Sequence, residues 1–254
     1  MSRDRLLPEI PTVSPSSLDD WERCRRLYLD RHLLRLPESD RGGGSAALGN
    51  LVHDLLRHLH GLGDCHDEPL RTTVLENHGQ GEASPATAML ANHARRCPSP
   101  TPALGHELDV VRLHRGGPVW IATGRLDAVW LHDGVLDVRD YKTGAPRDGL
   151  LGEDVRARLQ AWLAAPLAPN LRVRIRYEHL GDDADPVEFE PDAEDLAAIE
   201  SDVTETVAAI RDAAARVDFP GVRDPEICRG CVYRSICPDS AAPGDPTWPR
   251  PEDS

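Results

Sequence analysis

Lysine is all but missing from this 254-residue chain: of 29 basic residues, 28 are arginine, and the one lysine is Lys142. Arginine serves every other cationic task, so a compact, rotatable ammonium has been kept at one place only. That place is beside a carboxylate, in Val138-Arg139-Asp140-Tyr141-Lys142-Thr143-Gly144, where a planar guanidinium is not an equivalent. Arginine-rich coding that left one lysine by chance would give the same count. Long apolar runs are missing too. Nothing approaches the roughly 20 residues that cross a bilayer, and Arg3, Asp4 and Arg5 are not followed by the apolar stretch of a secretory signal. The expectation is a cytoplasmic protein with no membrane partner, where disulfides are not expected and free buried thiols are the bland reading of the cysteines. No internal repeat is present.

Positive charge is absent from residues 181 to 205, which hold eleven Asp or Glu and no Lys or Arg. The N-terminal segment carries Arg23, Arg25, Arg26, Arg31 and Arg35 instead. The net charge of -14 therefore conceals a polarised molecule, and a basic side that meets nucleic acid is compatible with it.

Asp133-Gly134 is a two-residue hairpin signal between Gly124–Leu131 and Val135–Lys142. A turn there sets Asp127 opposite Asp140. Alternation then gives one face Val129, Leu131, Leu136 and Val138, with Asp127, Asp140 and Lys142 at its far end, and the other face Ala128, Trp130, Asp137, Arg139 and Tyr141. Opposed side chains have Cβ atoms roughly 4.5 to 5.5 Å apart, and two carboxylates so placed repel. Burying them unpaired costs several kcal/mol, so the pair calls for a cation, either Lys142 or a divalent metal.

The rest of the chain predicts a helix from Ser14 to about Leu36, a joint at Gly42 to Gly44, and a helix from about Ser45 to His60. Residues 61–104 read as an insertion or lid with one helical piece near Ala86 to Arg96. Strands are expected at His106–His114, Val119–Leu131, Val135–Lys142, Leu171–Tyr177 and Val187–Glu190, and helices at Asp154–Ala165 and Ala193–Val217. Arg172, Arg174 and Arg176 make a row along one strand face. They suit either DNA phosphates or an edge strand protected by charge. Residues 1–13 are an N-terminal extension, 14–238 a single domain ending in a cysteine segment at 224–238, and 239–254 a disordered tail.

Cys228-x2-Cys231-x5-Cys237 packs three thiols into ten residues, and Cys24 lies far away on the first helix. Zinc usually takes two short ligand pairs, whereas an iron-sulfur cluster readily takes three clustered thiolates and one remote. Zinc stays open as the alternative. Cys65 and Cys97 have no such cysteine neighbours.

Asp127, Asp140-Tyr141-Lys142, Cys24 and the terminal thiols together resemble the PD-(D/E)XK nuclease superfamily, in the RecB-like branch that carries an iron-sulfur cluster. That branch is similar to the nuclease domains of helicase-nuclease complexes and to CRISPR-associated adaptation exonucleases. Gly49-x3-His53 matches its helix motif, where a glycine inside a helix, costing about 1 kcal/mol against alanine, suits a close approach. Gly124-Arg125-Leu126-Asp127 matches its first aspartate motif without the superfamily's preceding proline. Glu107 takes the acidic position on the preceding strand, with Asp109 close by, and Gln160 the following helix motif. The tyrosine expected four residues after Gln160 is Ala164, and Trp162 is the one ring near enough to stand in for it.

The resemblance implies an α/β, restriction-endonuclease-like fold: a mixed central sheet flanked by helices, with a helical cap in which a [4Fe-4S] cluster on Cys24, Cys228, Cys231 and Cys237 joins the two ends of the chain. It implies a metal-dependent DNA nuclease, an exonuclease on single strands or DNA ends. His53, Asp127, Asp140 and the Tyr141 backbone carbonyl would hold Mg2+ or Mn2+, and Lys142, Gln160 and Glu107 would act beside the metal. A helicase or CRISPR adaptation proteins are the implied partners besides DNA. Two other readings stand against it: a non-catalytic DNA-binding or helicase-partner module with a structural iron-sulfur or zinc site, and a hydrolase or metalloprotein of unrelated fold with zinc at the cysteines.

Overall fold

The computed structural model describes residues 10–38, 43–99, 101, 103–145, 149–181 and 185–242. In chain order its elements are β1 (Thr12–Val13), α1 (Pro15–Arg23), α2 (Arg25–Tyr28), a π-helical turn (Leu29–Leu33), α3 (Gly43–Leu62), α4 (Glu68–Asn77), α5 (Pro85–Ala94), β2 (Ala103–His114), β3 (Trp120–His132), β4 (Val135–Lys142), α6 (Val155–Ala164), β5 (Arg172–His179), β6 (Val187–Phe189), α7 (Ala193–Arg216) and α8 (Pro225–Arg229). The expected extension and tail lie largely outside the described residues. No helix among the described residues is long and apolar enough to cross a membrane.

The chain divides into two compact units. One gathers Gly43–Arg112 and Thr123–Glu200. Its strands make a mixed sheet in which β3 and β4 are antiparallel, β4 and β5 parallel, and β5 and β6 antiparallel, with β2 also paired to β3. The β3–β4 turn has the predicted form: Asp133 and Gly134 both have positive φ, 53° and 72°, as a two-residue turn matched to strand twist requires. The register runs from Ala128↔Arg139 to His132↔Val135, and continued one step it sets Asp127 against Asp140.

The two faces of that hairpin are covered by different helices. Ala128, Trp130 and Tyr141 are buried in one cluster with Val52, Leu55, Leu56 and Leu59 of α3, Val74 and Leu75 of α4, and Met89 and Leu90 of α5. For residues 61–104 the sequence predicts one helical piece, near Ala86 to Arg96. They contain two helices whose apolar side chains fill a core, each started by a side-chain cap: Asp67 accepts from Leu70 N–H and Ser84 from Ala86 N–H. On the other face α6 is tied to the sheet through Gln160 and Asp140. Gly43 and Gly44, expected in a joint, already belong to α3.

The buried face also holds charge. Asp137 receives Arg139 Nε at 2.9 Å and His132 Nε2 at 3.2 Å, with Arg176 Nε at 3.7 Å, and Arg139 also pairs with Glu178. Burial opposes ionisation of Asp137, but Arg139 and Arg176 outweigh it and hold the carboxyl below its usual range. β5 is not the edge strand that one reading of its arginines required, since β6 covers it. Arg172 and Arg174 pair with Glu190, and Arg176 with Glu188.

The second unit gathers Met1–Gly42, Leu113–Ala122 and Ser201–Ser254. Within it β1 runs parallel to the start of β3, and Trp21, Tyr28, Ile210, Ala213 and Phe219 form the core. Ser14 and Ser17 cap α1 reciprocally. The helix expected to continue to Leu36 breaks at Cys24, whose backbone is extended (φ -167°, ψ 116°), and resumes as α2 and the π-helical turn.

Candidate active site and thiol cavity

The carboxylate site lies in the first unit, at the end of the β3–β4 hairpin, and four elements supply it. α3 brings His53, β2 Glu107, β3 Asp127, and β4 Asp140 and Lys142. His53 Nε2 donates to the Tyr141 carbonyl at 3.1 Å, while its Nδ1 lies 3.5 Å from both Glu107 Oε1 and Asp127 Oδ2. His53, Glu107 and Asp127 offer ligand atoms that all lie within 4.8 Å of one another. The donors are one imidazole and two carboxylates, beside a backbone carbonyl. This set suits a hard divalent cation.

Asp127 Oδ2 accepts the Tyr141 backbone N–H at 2.9 Å. Burial and the neighbouring Asp140 charge push the Asp127 carboxyl up to about 7. Asp140 goes the other way. Burial resists its ionisation, but Lys142 Nζ at 2.6 Å and Gln160 Nε2 at 2.9 Å hold it below the usual carboxylate range. Burial and mutual repulsion oppose full charge on both acids, and a further cation beside Asp127 would favour it. Gln160 donates to Asp140 Oδ2, and its Oε1 is buried with no hydrogen-bond partner among the described residues.

Glu107 and Asp109 were close rivals in sequence; the backbone separates them. Glu107 has φ 48°, a left-handed conformation inside a strand, and its carboxylate reaches His53. Asp109 pairs with Arg125 at 2.9 Å and is 72% exposed. Gly49 lies one turn before His53, and a Cβ there would meet Thr143 Oγ1 at 3.5 Å, an ordinary contact.

Sequence reasoning missed Tyr177. Its ring lies under Lys142 Nζ at 4.5 Å, delivered by β5 from the neighbouring strand. Trp162 does not replace the missing tyrosine: its indole N–H donates to Glu200 and Arg112 stacks on its ring at 3.6 Å. The site opens on a cleft of about 1110 Å3, lined by His53, Glu107, Thr143 and Gly144 with Arg57, Arg125 and Arg156. Arg172, Arg174 and Arg176 are not among its lining residues, and a phosphate would have to displace glutamates to reach them.

The second unit holds the predicted thiols. Cys24, Cys228, Cys231 and Cys237 line one cavity of about 20 Å3, with Arg23, Arg26 and Tyr233. The break after α1 delivers Cys24. α8, capped by Asp224, carries Cys228, and the turns after it carry Cys231 and Cys237. Burial pushes the Cys231 thiol up and the Cys237 thiol up to about 11. Arg23 reaches the Ile227 carbonyl, and Tyr233 donates to the Leu36 carbonyl at 2.9 Å, so both chain ends are tied around the cavity.

The sequence profile of the PD-(D/E)XK nuclease superfamily matches residues 12–238. No curated protein matches the chain. Among solved structures it is similar to the protein SSO0001 (18% identity, 91% of this chain and 88% of that one, TM-score 0.46). It is also similar to a protein from Eubacterium rectale provisionally named an exonuclease (12% identity, 82% of each chain, TM-score 0.49).

Proposed function

The chain belongs to the PD-(D/E)XK nuclease superfamily, and from that membership, which implies phosphodiester hydrolysis, we propose that it is a Mg2+- or Mn2+-dependent deoxyribonuclease. The observation that carries the proposal is the convergence of His53, Glu107 and Asp127 within 4.8 Å, beside an Asp140–Lys142 pair, at the wall of a large cleft. A reading with an unrelated fold falls away with the family match.

His53 Nδ1, Glu107 and Asp127 would hold the cation, the imidazole tilting the set towards Mn2+; of the other ligands the resemblance implies, the Tyr141 carbonyl instead accepts from His53 Nε2, and Asp140 from Lys142 and Gln160. The bound cation would polarise the scissile phosphate and lower the pKa of the attacking water. Asp140, its two oxygens taken by Lys142 and Gln160, adds charge to the same site and fixes the ammonium. Lys142, held between Asp140 and the Tyr177 ring, would neutralise charge that develops on the phosphate. Arg57, Arg125 and Arg156 at the cleft suit the DNA backbone.

The cysteine cavity supports a structural [4Fe-4S] cluster and, with it, the RecB-like branch. Three clustered thiols with a fourth from the other end of the chain around one cavity is a ligand pattern that an iron-sulfur cluster readily takes, and zinc stays the alternative. Exonuclease action on single strands or DNA ends, alongside a helicase or within CRISPR adaptation, DNA repair or recombination, completes the proposal.

Labelled single-stranded, blunt and overhang DNA incubated with Mn2+ or Mg2+ tests it. Cleavage that disappears in Asp127→Ala and Lys142→Ala, with folding retained, is the expected result. DNA left intact under every metal would replace it with a non-catalytic DNA-binding module.

A further inference from the structure

A second cluster of ligand-type side chains lies in the unit that holds the carboxylate site, and the reaction does not use it. We propose that His60, Cys65, His93 and Cys97 form a structural zinc site that fastens the C-terminal ends of α3 and α5. Their four ligand atoms all lie within 4.8 Å of one another, and Cys65, His93 and Cys97 are buried. His60 Nε2 is 3.0 Å from His93 Nε2 and 3.7 Å from Cys97 Sγ. Tetrahedral zinc, with Zn–N near 2.0–2.1 Å and Zn–S near 2.3 Å, places nitrogens about 3.3 Å apart and a nitrogen and a sulfur about 3.6 Å apart. The observed separations are near those edges before any ion is added.

The partners of His93 fix its role. Its Nδ1 faces Glu178 Oε2 at 3.0 Å, both side chains fully buried, so Nδ1 carries the proton and Nε2 presents a lone pair. A carboxylate behind a histidine in this way is the usual outer partner of a zinc ligand. His60 Nε2 points at the same place, and the His106 ring stacks on His60 at 4.5 Å, holding its plane. A hydrogen-bonded histidine pair alone would explain the 3.0 Å contact. It would not bring two buried thiols to the same point.

Location and charge agree. His60 is in the last turn of α3 and His93 in the last turn of α5, where helix dipoles favour a cation. Two thiolates with two neutral imidazoles leave a dication electrically balanced, and soft sulfur with imidazole selects zinc over magnesium or manganese. His53 precedes His60 by two turns of α3, so the ion would also brace the helix that supplies the nuclease histidine.

The test uses the full-length protein, purified anaerobically, with metal content measured for the wild type and its variants. About one zinc per chain is expected. It should survive Cys24→Ser, which removes a ligand of the proposed iron-sulfur cluster, and fall to roughly a tenth in Cys97→Ser or His93→Gln. Replacement of zinc by Co2+ should give the intense visible absorption of a tetrahedral site and a sulfur-to-cobalt band. That band should halve in Cys97→His, a variant that keeps the ligand count and serves if Cys97→Ser does not fold. Three results would each overturn the proposal: wild-type protein that holds neither zinc nor cobalt, a cobalt band unchanged in Cys97→His, or a Cys65–Cys97 disulfide found by mass spectrometry in place of the metal.

Discussion

Lys142 Nζ lies 2.6 Å from Asp140 Oδ1, so the single lysine of the chain is spent on one acid of the opposed pair. An arginine at this position would bring a wider, planar head in place of the compact ammonium between Asp140 and the Tyr177 ring. Lys142→Ala is expected to lower DNA cleavage by about 10²- to 10³-fold, and Lys142→Arg to restore little of it. Single-turnover cleavage of labelled DNA measures both, with circular dichroism checking the fold.

The Asp137 carboxylate is fully buried between Arg139, Arg176 and His132. Asp137→Ala would take one of two carboxylates from the buried Arg139, which keeps Glu178, and a loss of about 1–3 kcal/mol is expected. The urea midpoint reports it. DNA affinity of the folded fraction should be unchanged, because Asp137 belongs to the sheet face packed by α3 to α5.

The same carboxylate sets a pH dependence. Its folded pKa is depressed below the unfolded value of about 3.9, so its contribution is complete above that value and disappears as pH falls through the folded one. Unfolding curves from neutral to acid pH should therefore show a wild-type advantage over Asp137→Asn at neutral pH that shrinks towards zero in strong acid. An advantage that grew on acidification would contradict the assignment.

Cys24 interrupts the first helix and lines the cavity of the three C-terminal thiols. Cys24→Ala is expected to remove most of the broad visible absorbance of the purified protein and most of its iron. Its N- and C-terminal segments should then be cut faster by protease, since loss of the proposed cluster would release both from their common tie. Iron analysis and timed proteolysis measure the two effects separately.

Much of the site was legible because its signals are local. Asp133-Gly134 determines a turn and the turn a register, so the opposition of Asp127 and Asp140 follows from a few residues of sequence. Features that depend on distant chain segments were not legible in the same way. Tyr177 reaches Lys142 only because β5 runs parallel to β4, and the arginine row finds Glu188 and Glu190 only because β6 covers β5. Residues 61–104 looked irregular because α4 and α5 are short and separated by polar turns, yet Leu70, Val74, Leu75, Ala86, Met89 and Leu90 all pack on one core. The His60-x4-Cys65 and His93-x3-Cys97 pairs were readable as zinc-type spacing, but attention to cysteine–cysteine spacing alone passed over the two histidines.

Glu107 keeps a side chain where the main chain would favour a residue with none, at φ 48°. Glycine or asparagine there would relax the strand by about 1 kcal/mol or more, while removing the acid that faces His53. The strain at residue 107 is thus tied to the placing of its carboxylate beside His53, and Glu107→Gly is expected to stabilise the fold while taking that acid out of the site.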